Sequence, residues 1–278
     1  MPLGYSPDPF GHPAQLPQIL AGFGLNDLLF ARGLGDEADS LGAVFWWEAP
    51  DGTRVLAHRQ LGSYDNARSL RWSDHGDPVR TFVERHESTL ERSRTRDVLL
   101  CNGTDHAPIQ ADIGDVAGAI ASAHPELPVS VTGYPQYVTS VRQHLPAELA
   151  VHQGEMIGGR LLPVLRGINS ARMPLKQRYA ATEEALLTAE TTAALAWLNG
   201  GTKYPHAELR HAWRELLRNS PHDSISGCSV DETHRAMAGR FLTAELIANR
   251  VRRESIADRK STRLNSSHMV QSRMPSSA

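Results

Sequence analysis

Asp8 stands between two prolines in Pro7-Asp8-Pro9-Phe10-Gly11-His12. The prolines hold this backbone rigid and extended, so the carboxylate can be aimed at a ligand as nucleophile, base or metal donor. A second carboxylate, Asp105, sits in Asn102-Gly103-Thr104-Asp105-His106, directly after the apolar run Val98-Leu99-Leu100-Cys101. Loops at strand ends of this kind carry sites in α/β proteins. The third cluster is Ser220-Pro221-His222-Asp223-Ser224-Ile225-Ser226-Gly227, where a His beside an Asp suits metal ligation with an anchoring carboxylate nearby. Each motif alone also fits an ordinary turn, because Asp, Asn, Pro, Gly and Ser are the turn formers. A fourth cluster, Gly154-Glu155-Met156-Ile157-Gly158-Gly159-Arg160 with Ser170-Ala171-Arg172-Met173, reads as a glycine-rich junction between domains.

The elements that must hold these residues fall into two groups. Residues 1–168 alternate short apolar runs with helical stretches, the pattern of an α/β layer fold. Gln15 to Phe23 predicts a helix, and Val44 to Trp47, Pro50-Asp51-Gly52 and Arg54 to Ala57 predict a hairpin. Val79 to Arg92, Ile109 to Ala123 and Pro135 to Leu145 predict helices, while 98–101 and 128–132 read as strands, the former buried on both faces. From 169 to 257 the pattern turns helical. One stripe runs Leu175, Tyr179, Leu186, Ala189, Ala193, Trp197 and stops at Asn199-Gly200-Gly201. Leu209, Trp213, Leu216 and Leu217 mark a second helix. A third is expected to open on a capping box, Ser229-Val230-Asp231-Glu232, and carries Met237, Phe241, Ala244, Ala248 and Val251. Three such helices make a small bundle.

Composition limits what the site can serve. The 278 residues carry 29 Lys+Arg and 31 Asp+Glu, a formal charge of −2, which leaves no electrostatic footprint for nucleic acid. No apolar run reaches 18 residues, so no membrane span is expected. Two cysteines, Cys101 and Cys228, make no disulfide framework, and a cytoplasmic location is expected.

Taken in order, Asp-Pro-Phe-Gly-His, Phe30-Ala31-Arg32, Ser63-Tyr64-Asp65, Gly-Thr-Asp-His and His-Asp-Ser-Ile-Ser-Gly resemble glycoside hydrolase family 38, the zinc-dependent retaining α-mannosidases. The resemblance runs from about Gly4 to about Ala257. It implies an α/β fold, the C-terminal part of a partial (β/α) barrel catalytic domain over 1–168, followed by a three-helix middle domain over 169–257. It implies that Asp8 is the catalytic nucleophile and a zinc ligand, and that Asp105 is the general acid/base. Phe10, Arg32, Tyr64, Asp65 and Asp223 then bind substrate, and His222 is a second zinc ligand. Pro221 stands where many animal members carry another His, which gives the chain a bacterial character. The implied partner is an α-mannoside or mannose-containing oligosaccharide, with no nucleic acid and no membrane, and with room for a homo-oligomer in a full-length parent.

The implied chemistry sets demands on the site. Retaining hydrolysis needs two carboxylates about 5–5.5 Å apart, one attacking C1 and one protonating the leaving oxygen. The nucleophile must stay ionised, which a neighbouring Zn²⁺ and Arg32 favour. The acid must keep its proton, which burial or carboxylate neighbours favour. Trp46 and Trp47 could stack on sugar faces but read more simply as hairpin core.

The family's first zinc ligands lie in a His-x-Asp strand upstream of the nucleophile. Only seven residues precede Asp8, and none is His. The chain is therefore expected to be a fragment that neither binds zinc tightly nor turns over substrate alone. A non-catalytic carbohydrate-binding fragment and a metal-dependent carbohydrate deacetylase are the competing readings. Residues 258–278 resemble the translation of a DNA adapter used in short-read sequencing, so an artefactual, disordered tail is expected there.

Overall fold

Val44–Glu48 and Arg54–Arg59 are the hairpin expected from their alternation, and they sit inside a larger sheet in this computed structural model, which describes residues 2–72, 76–200 and 203–271. The chain divides into two units, Met1–Arg166 and Gly167–Ala278. In the first unit β1 (Gly4–Ser6), β2 (Asp27–Phe30), β3 (Val44–Glu48), β4 (Arg54–Arg59) and β5 (Val151–Gln153) form one sheet in the order β1-β2-β4-β3-β5. Strands β1, β2 and β4 are mutually parallel, β3 is antiparallel to β4, and β5 runs parallel to β3.

Period-2 alternation sends the side chains into two cores. Leu28, Phe30, Phe45, Trp47, Val55 and Ala57 face one side, where α1 (Leu16–Gly22) supplies Leu20 and α2 (Ala38–Leu41) supplies Ala38 and Leu41. Leu29, Val44 and Leu56 face the other, covered by Tyr137, Val138 and Val141 of α5 (Tyr134–Gln143). A smaller cluster joins Phe82 of α3 (Pro78–Ser93) to Val116 and Ile120 of α4 (Ile113–Ala123).

Two expected strands are not strands. Residues 98–101 place Leu99 and Leu100 against different clusters, but only Cys101 of the four is buried and the others are half-buried. Their backbone groups, however, are taken by Asn66 and Ala67. Asn66 Oδ1 accepts from Cys101 N–H at 2.6 Å, Asn66 Nδ2 donates to the Leu99 carbonyl at 3.1 Å, and Ala67 N–H donates to the Cys101 carbonyl at 2.8 Å. A side chain here replaces a neighbouring strand. Residues 128–132 likewise form no ladder. Pro128 has no N–H to give, and Val131 is exposed.

The second unit holds α6 (Met173–Leu198), α7 (His206–Leu217), the short α8 (His222–Ser226) and α9 (Asp231–Gln271). Leu186, Ala189 and Ala193 of α6, Leu209, Ala212 and Leu216 of α7, and Met237, Phe241, Ala244 and Ala248 of α9 share one core. The start of α9 differs by one residue from expectation. Thr233 and His234 bond back to the Val230 carbonyl, so Val230 rather than Ser229 closes the first turn. At its other end α9 continues beyond Ala257 into the stretch expected to be disordered. No glycine or proline lies between Arg240 and Gln271 to break the helical backbone. Residues 272–278 of that tail lie outside the described residues. Among the described residues no helix is long and apolar enough to cross a membrane.

Candidate active site

The parallel pairing of β1 with β2 ends at Ser6 opposite Phe30. Two residues further on each strand come Asp8 and Arg32, so the register itself sets them side by side. Arg32 Nε donates to Asp8 Oδ1 at 2.5 Å, with the side chains 17% and 20% exposed. Two further contacts hold the guanidinium: Nη1 donates to the Pro163 carbonyl at 2.6 Å, and the group lies over the Phe10 ring at 5.8 Å. A charge-assisted bond, a backbone acceptor and an aromatic face leave it little freedom.

Tyr64 joins this pair to the second carboxylate. Its hydroxyl donates to Asp105 Oδ2 at 3.0 Å. Burial, the Asp105 hydrogen bond and the charge of Asp8 push the phenol up to about 12, while a hydrogen bond with Arg32 opposes them. The phenol therefore stays protonated, as a donor, at every physiological pH. Asp65 faces the same loop. Its Oδ2 accepts from Thr104 Oγ1 at 3.0 Å and from Arg68 Nη1 at 2.9 Å. Partial burial opposes its ionisation, but hydrogen bonds from Ser63 and Thr104 and the Arg68 charge hold the carboxyl below its ordinary value. Gln110 Nε2 donates to the Leu70 carbonyl at 2.9 Å, a third tie between the Tyr64 and Asp105 loops.

Asp8, Phe10, Arg32, Tyr64, Asp65 and Asp105 are thus gathered at the C-terminal ends of the parallel strands. The burial expected for a proton-holding Asp105 is absent, because it is exposed in this chain. Trp47 is wholly buried hairpin core and Trp46 is half-buried beside α5. His222 and Asp223 belong to the second unit, on the first turn of α8, which replaces the plain loop expected there. His222 Nε2 lies 3.7 Å from Asp223 Oδ1, and Cys228 Sγ lies 3.2 Å from that same oxygen.

Sequence reasoning missed three features. The Tyr5 and Tyr134 rings pack tilted by 34° with centroids 5.1 Å apart, and the Tyr134 hydroxyl donates to that of Tyr5 at 3.3 Å. Cys101 accepts from Gln60 Nε2 at 3.1 Å, and burial pushes its thiol up. The glycine-rich segment from Gly154 is more than a junction, because it is bonded inside the first unit to both the Asp8 and the Arg32 loops. The spacing Gly154, Gly158, Gly159 was its one signal.

Among the described residues no group of three or more His, Cys, Asp or Glu side chains is placed to hold a metal ion. Tetrahedral zinc takes about four ligands. Asp8 lies in the first unit and His222 in the second.

Residues 1–155 match the glycosyl hydrolases family 38 N-terminal domain, and residues 164–258 match the alpha mannosidase middle domain. A protein of Halalkalibacterium halodurans named "Putative mannosylglycerate hydrolase" is 30% identical over 256 residues, covering 87% of this chain and 28% of that protein. Alpha-mannosidase 2C1 of Mus musculus is 28% identical over 233 residues, covering 81% of this chain and 21% of that protein. The crystal structure of an alpha-mannosidase from Enterococcus faecalis V583 superposes with a TM-score of 0.85 at 32% identity, over 93% of this chain and 30% of that one. The chain therefore spans less than a third of the length of these relatives. With more than half of its residues in the N-terminal-domain match and residues 164–258 in the middle-domain match, the chain belongs to glycosyl hydrolases family 38.

Proposed function

We propose that these residues form part of the sugar site of an enzyme that hydrolyses terminal α-mannosides with retention, through a covalent glycosyl-enzyme intermediate on Asp8. The observation that carries this reading is the in-register Asp8–Arg32 ion pair, linked through Tyr64 to Asp105. In the first step an Asp8 carboxylate oxygen attacks C1 as the C1–oxygen bond breaks, and Asp105 gives its proton to the leaving oxygen. In the second step Asp105 takes a proton from water, the water oxygen bonds to C1, and Asp8 is released. Arg32 fixes the Asp8 carboxylate for in-line attack, and Phe10 offers an aromatic face to the sugar. Tyr64 holds the Asp105 carboxyl by its hydroxyl.

Family resemblance adds zinc to this chemistry. We propose that the chain alone binds the ion weakly and turns over no substrate, since it offers Asp8 and His222 where a closed site takes about four donors. A cytoplasmic location fits two free cysteines, one of them exposed.

The test uses an intact family 38 protein containing this segment. Its first product from p-nitrophenyl α-mannoside, followed by NMR before mutarotation, should be the α anomer of mannose. The β anomer would rule out retention. Asp8→Ala should abolish turnover, and survival of activity would remove Asp8 as nucleophile. Mannosylglycerate is the natural substrate to try first, given the name of the bacterial relative. Release of acetate instead of mannose from acetylated glycans would favour the deacetylase reading. For the chain alone, EDTA-sensitive release of p-nitrophenol would overturn the proposed inactivity.

A further inference from the structure

The β1–β2 ladder stops at Ser6 and Phe30, so the placement of Asp8 and Arg32 beyond it depends on what holds their loops. The segment after β5 crosses both loops. Met156 exchanges two backbone hydrogen bonds with His12, each 2.9 Å, and Gly158 N–H donates to the Gly33 carbonyl at 2.8 Å. The segment is in turn fixed from behind. The Met156 side chain is fully buried, Trp47 Nε1 donates to the Gly154 carbonyl at 2.9 Å, and Arg166 donates to the Ile157 carbonyl at 2.8 and 3.1 Å. Further along, Pro163 supplies the carbonyl that accepts from Arg32.

This close crossing requires glycine. A Cβ on Gly158 would stand 2.2 Å from the Gly35 nitrogen and 2.6 Å from the Leu34 carbonyl carbon, both of them backbone. A Cβ on Gly33, which already has φ +114°, would stand 2.7 Å from the Met156 oxygen. Neither clash can be relieved by turning a side chain, so the loops themselves would have to part.

We propose that residues 154–163 act as a strap that sets the Asp8–Arg32 geometry, with Gly158 as a positioning residue for the pair. The inference rests on the catalytic reading of that pair, yet the ion pair can be observed without turnover. The measurement is the arginine Nε–H NMR spectrum of the ¹⁵N-labelled chain. Arg32→Lys and Arg142→Lys identify the two cross-peaks that matter. Arg142 Nε donates to Asp27 at 3.0 Å, an ion pair at the start of β2 and so at the other end of that strand from Arg32. In Gly158→Ala the Arg32 Nε–H should exchange with water about tenfold faster or more, the response expected of local opening. Its resonance should move towards that of free arginine, while Arg142 stays put. An unchanged Arg32 signal in a variant that keeps the Arg142 signal would overturn the proposal. Should both signals vanish through unfolding, Trp47→Phe decides, because it removes the hydrogen bond to the Gly154 carbonyl while keeping an aromatic ring in the core. There Arg32 exchange should rise roughly threefold by the same opening, and no rise would overturn the strap. A failed anomer test for retention would leave these readouts untouched, so the two failures can be told apart.

Discussion

In the first unit the sheet buries Asp27, His58, His12 and Gln60 among its apolar side chains, whereas the second unit closes three helices over Leu, Ala, Met and Phe. Asp27 is 1% exposed and accepts from His58 Nε2 and Arg142, each at 3.0 Å at closest. Among the described residues, the buried polar side chains of the second unit include no carboxylate or guanidinium. Asn219, for instance, donates to the Met237 carbonyl at 3.1 Å and accepts from Arg240 at 3.1 Å. The same contrast holds for the candidate site residues. Those of the first unit hang beyond strand ends and depend on contacts 24 to 131 residues away in sequence, as for Arg32 with Asp8 and Pro163. His222 and Asp223 are neighbours on a single helical turn. The lesson is that electrostatics and distant chain crossings specify one unit, while local periodic packing specifies the other.

The largest effect should come from the helical core. Phe241 is fully buried, meets Tyr179 edge-on at 6.3 Å and lies under the Arg178 guanidinium at 5.4 Å. Phe241→Ala should cost the second unit about 4 kcal/mol, from lost transfer and cavity terms together. In urea unfolding the loss should appear in the helical transition only. An equal shift of the sheet transition would show that the units do not unfold separately. The mirror experiment is Asp27→Asn, which leaves the Arg142 charge without its carboxylate. Breaking such a pair costs about 3 kcal/mol, at the low end because Arg142 is 29% exposed. That loss should fall on the sheet transition alone.

The helices were readable because burial on one face forces a 3.6-residue period. Leu186, Ala189 and Ala193, or Phe241, Ala244 and Ala248, declare their face in any short window. The hairpin was equally plain, since Trp47 and Phe45 alternate with Trp46 and Val44. Strand β2 was missed because Asp27-Leu28-Leu29-Phe30 is four residues buried on both faces, with no alternation to see. The run 98–101 is apolar like a strand but bonds to the Asn66 side chain, and no local pattern distinguishes that partner from a strand. At the site, the motif order brought out Asp8, Arg32, Tyr64 and Asp105. The strap was invisible because its meaning is the distance from Gly158 to the Leu34–Gly35 backbone, more than a hundred residues earlier.

Acidification should separate the units by a further route. Burial lowers the His12 imidazole from 6.5 to about 4, against a weaker hydrogen bond to the Arg32 backbone. Burial also lowers His86 and His152, in the same unit. The unfolded chain then binds protons that the folded one refuses, so the first unit loses stability as pH falls from 6.5 towards 4. For His12, lowered from 6.5 to about 4, the full loss is about 3 kcal/mol. Asp27 contributes nothing over that window, because its carboxyl is held below its ordinary value and its stabilisation is lost only at lower pH. Asp231 and Glu245 in the second unit are likewise lowered, so what they contribute begins to be lost only near the bottom of that window, as the unfolded carboxyls take up protons at about 4 to 4.5. Urea midpoints at pH 7 and 4.5 should therefore converge for the sheet in His12→Phe, with the helical midpoint little changed. A sheet transition as acid-sensitive in the variant as in the parent would remove His12 as the cause.

The smallest effect tests whether the second unit uses its charges at all. Arg178 Nε and Nη2 donate to the two oxygens of Glu245 at 2.8 and 3.0 Å, a bidentate pair joining α6 to α9. Thr182 Oγ1 donates to the same carboxylate at 3.1 Å, and Arg178 holds the Glu245 carboxyl below its ordinary value. The side chains are 36% and 28% exposed, so water screens most of the attraction. A double-mutant cycle with Arg178→Met and Glu245→Gln should give a coupling of about 0.5–1 kcal/mol, shrinking in 1 M salt. A coupling of several kcal/mol, comparable with the Asp27 substitution, would mean that the helical unit too is specified by ion pairing, and the contrast between the units would then rest on chain topology alone.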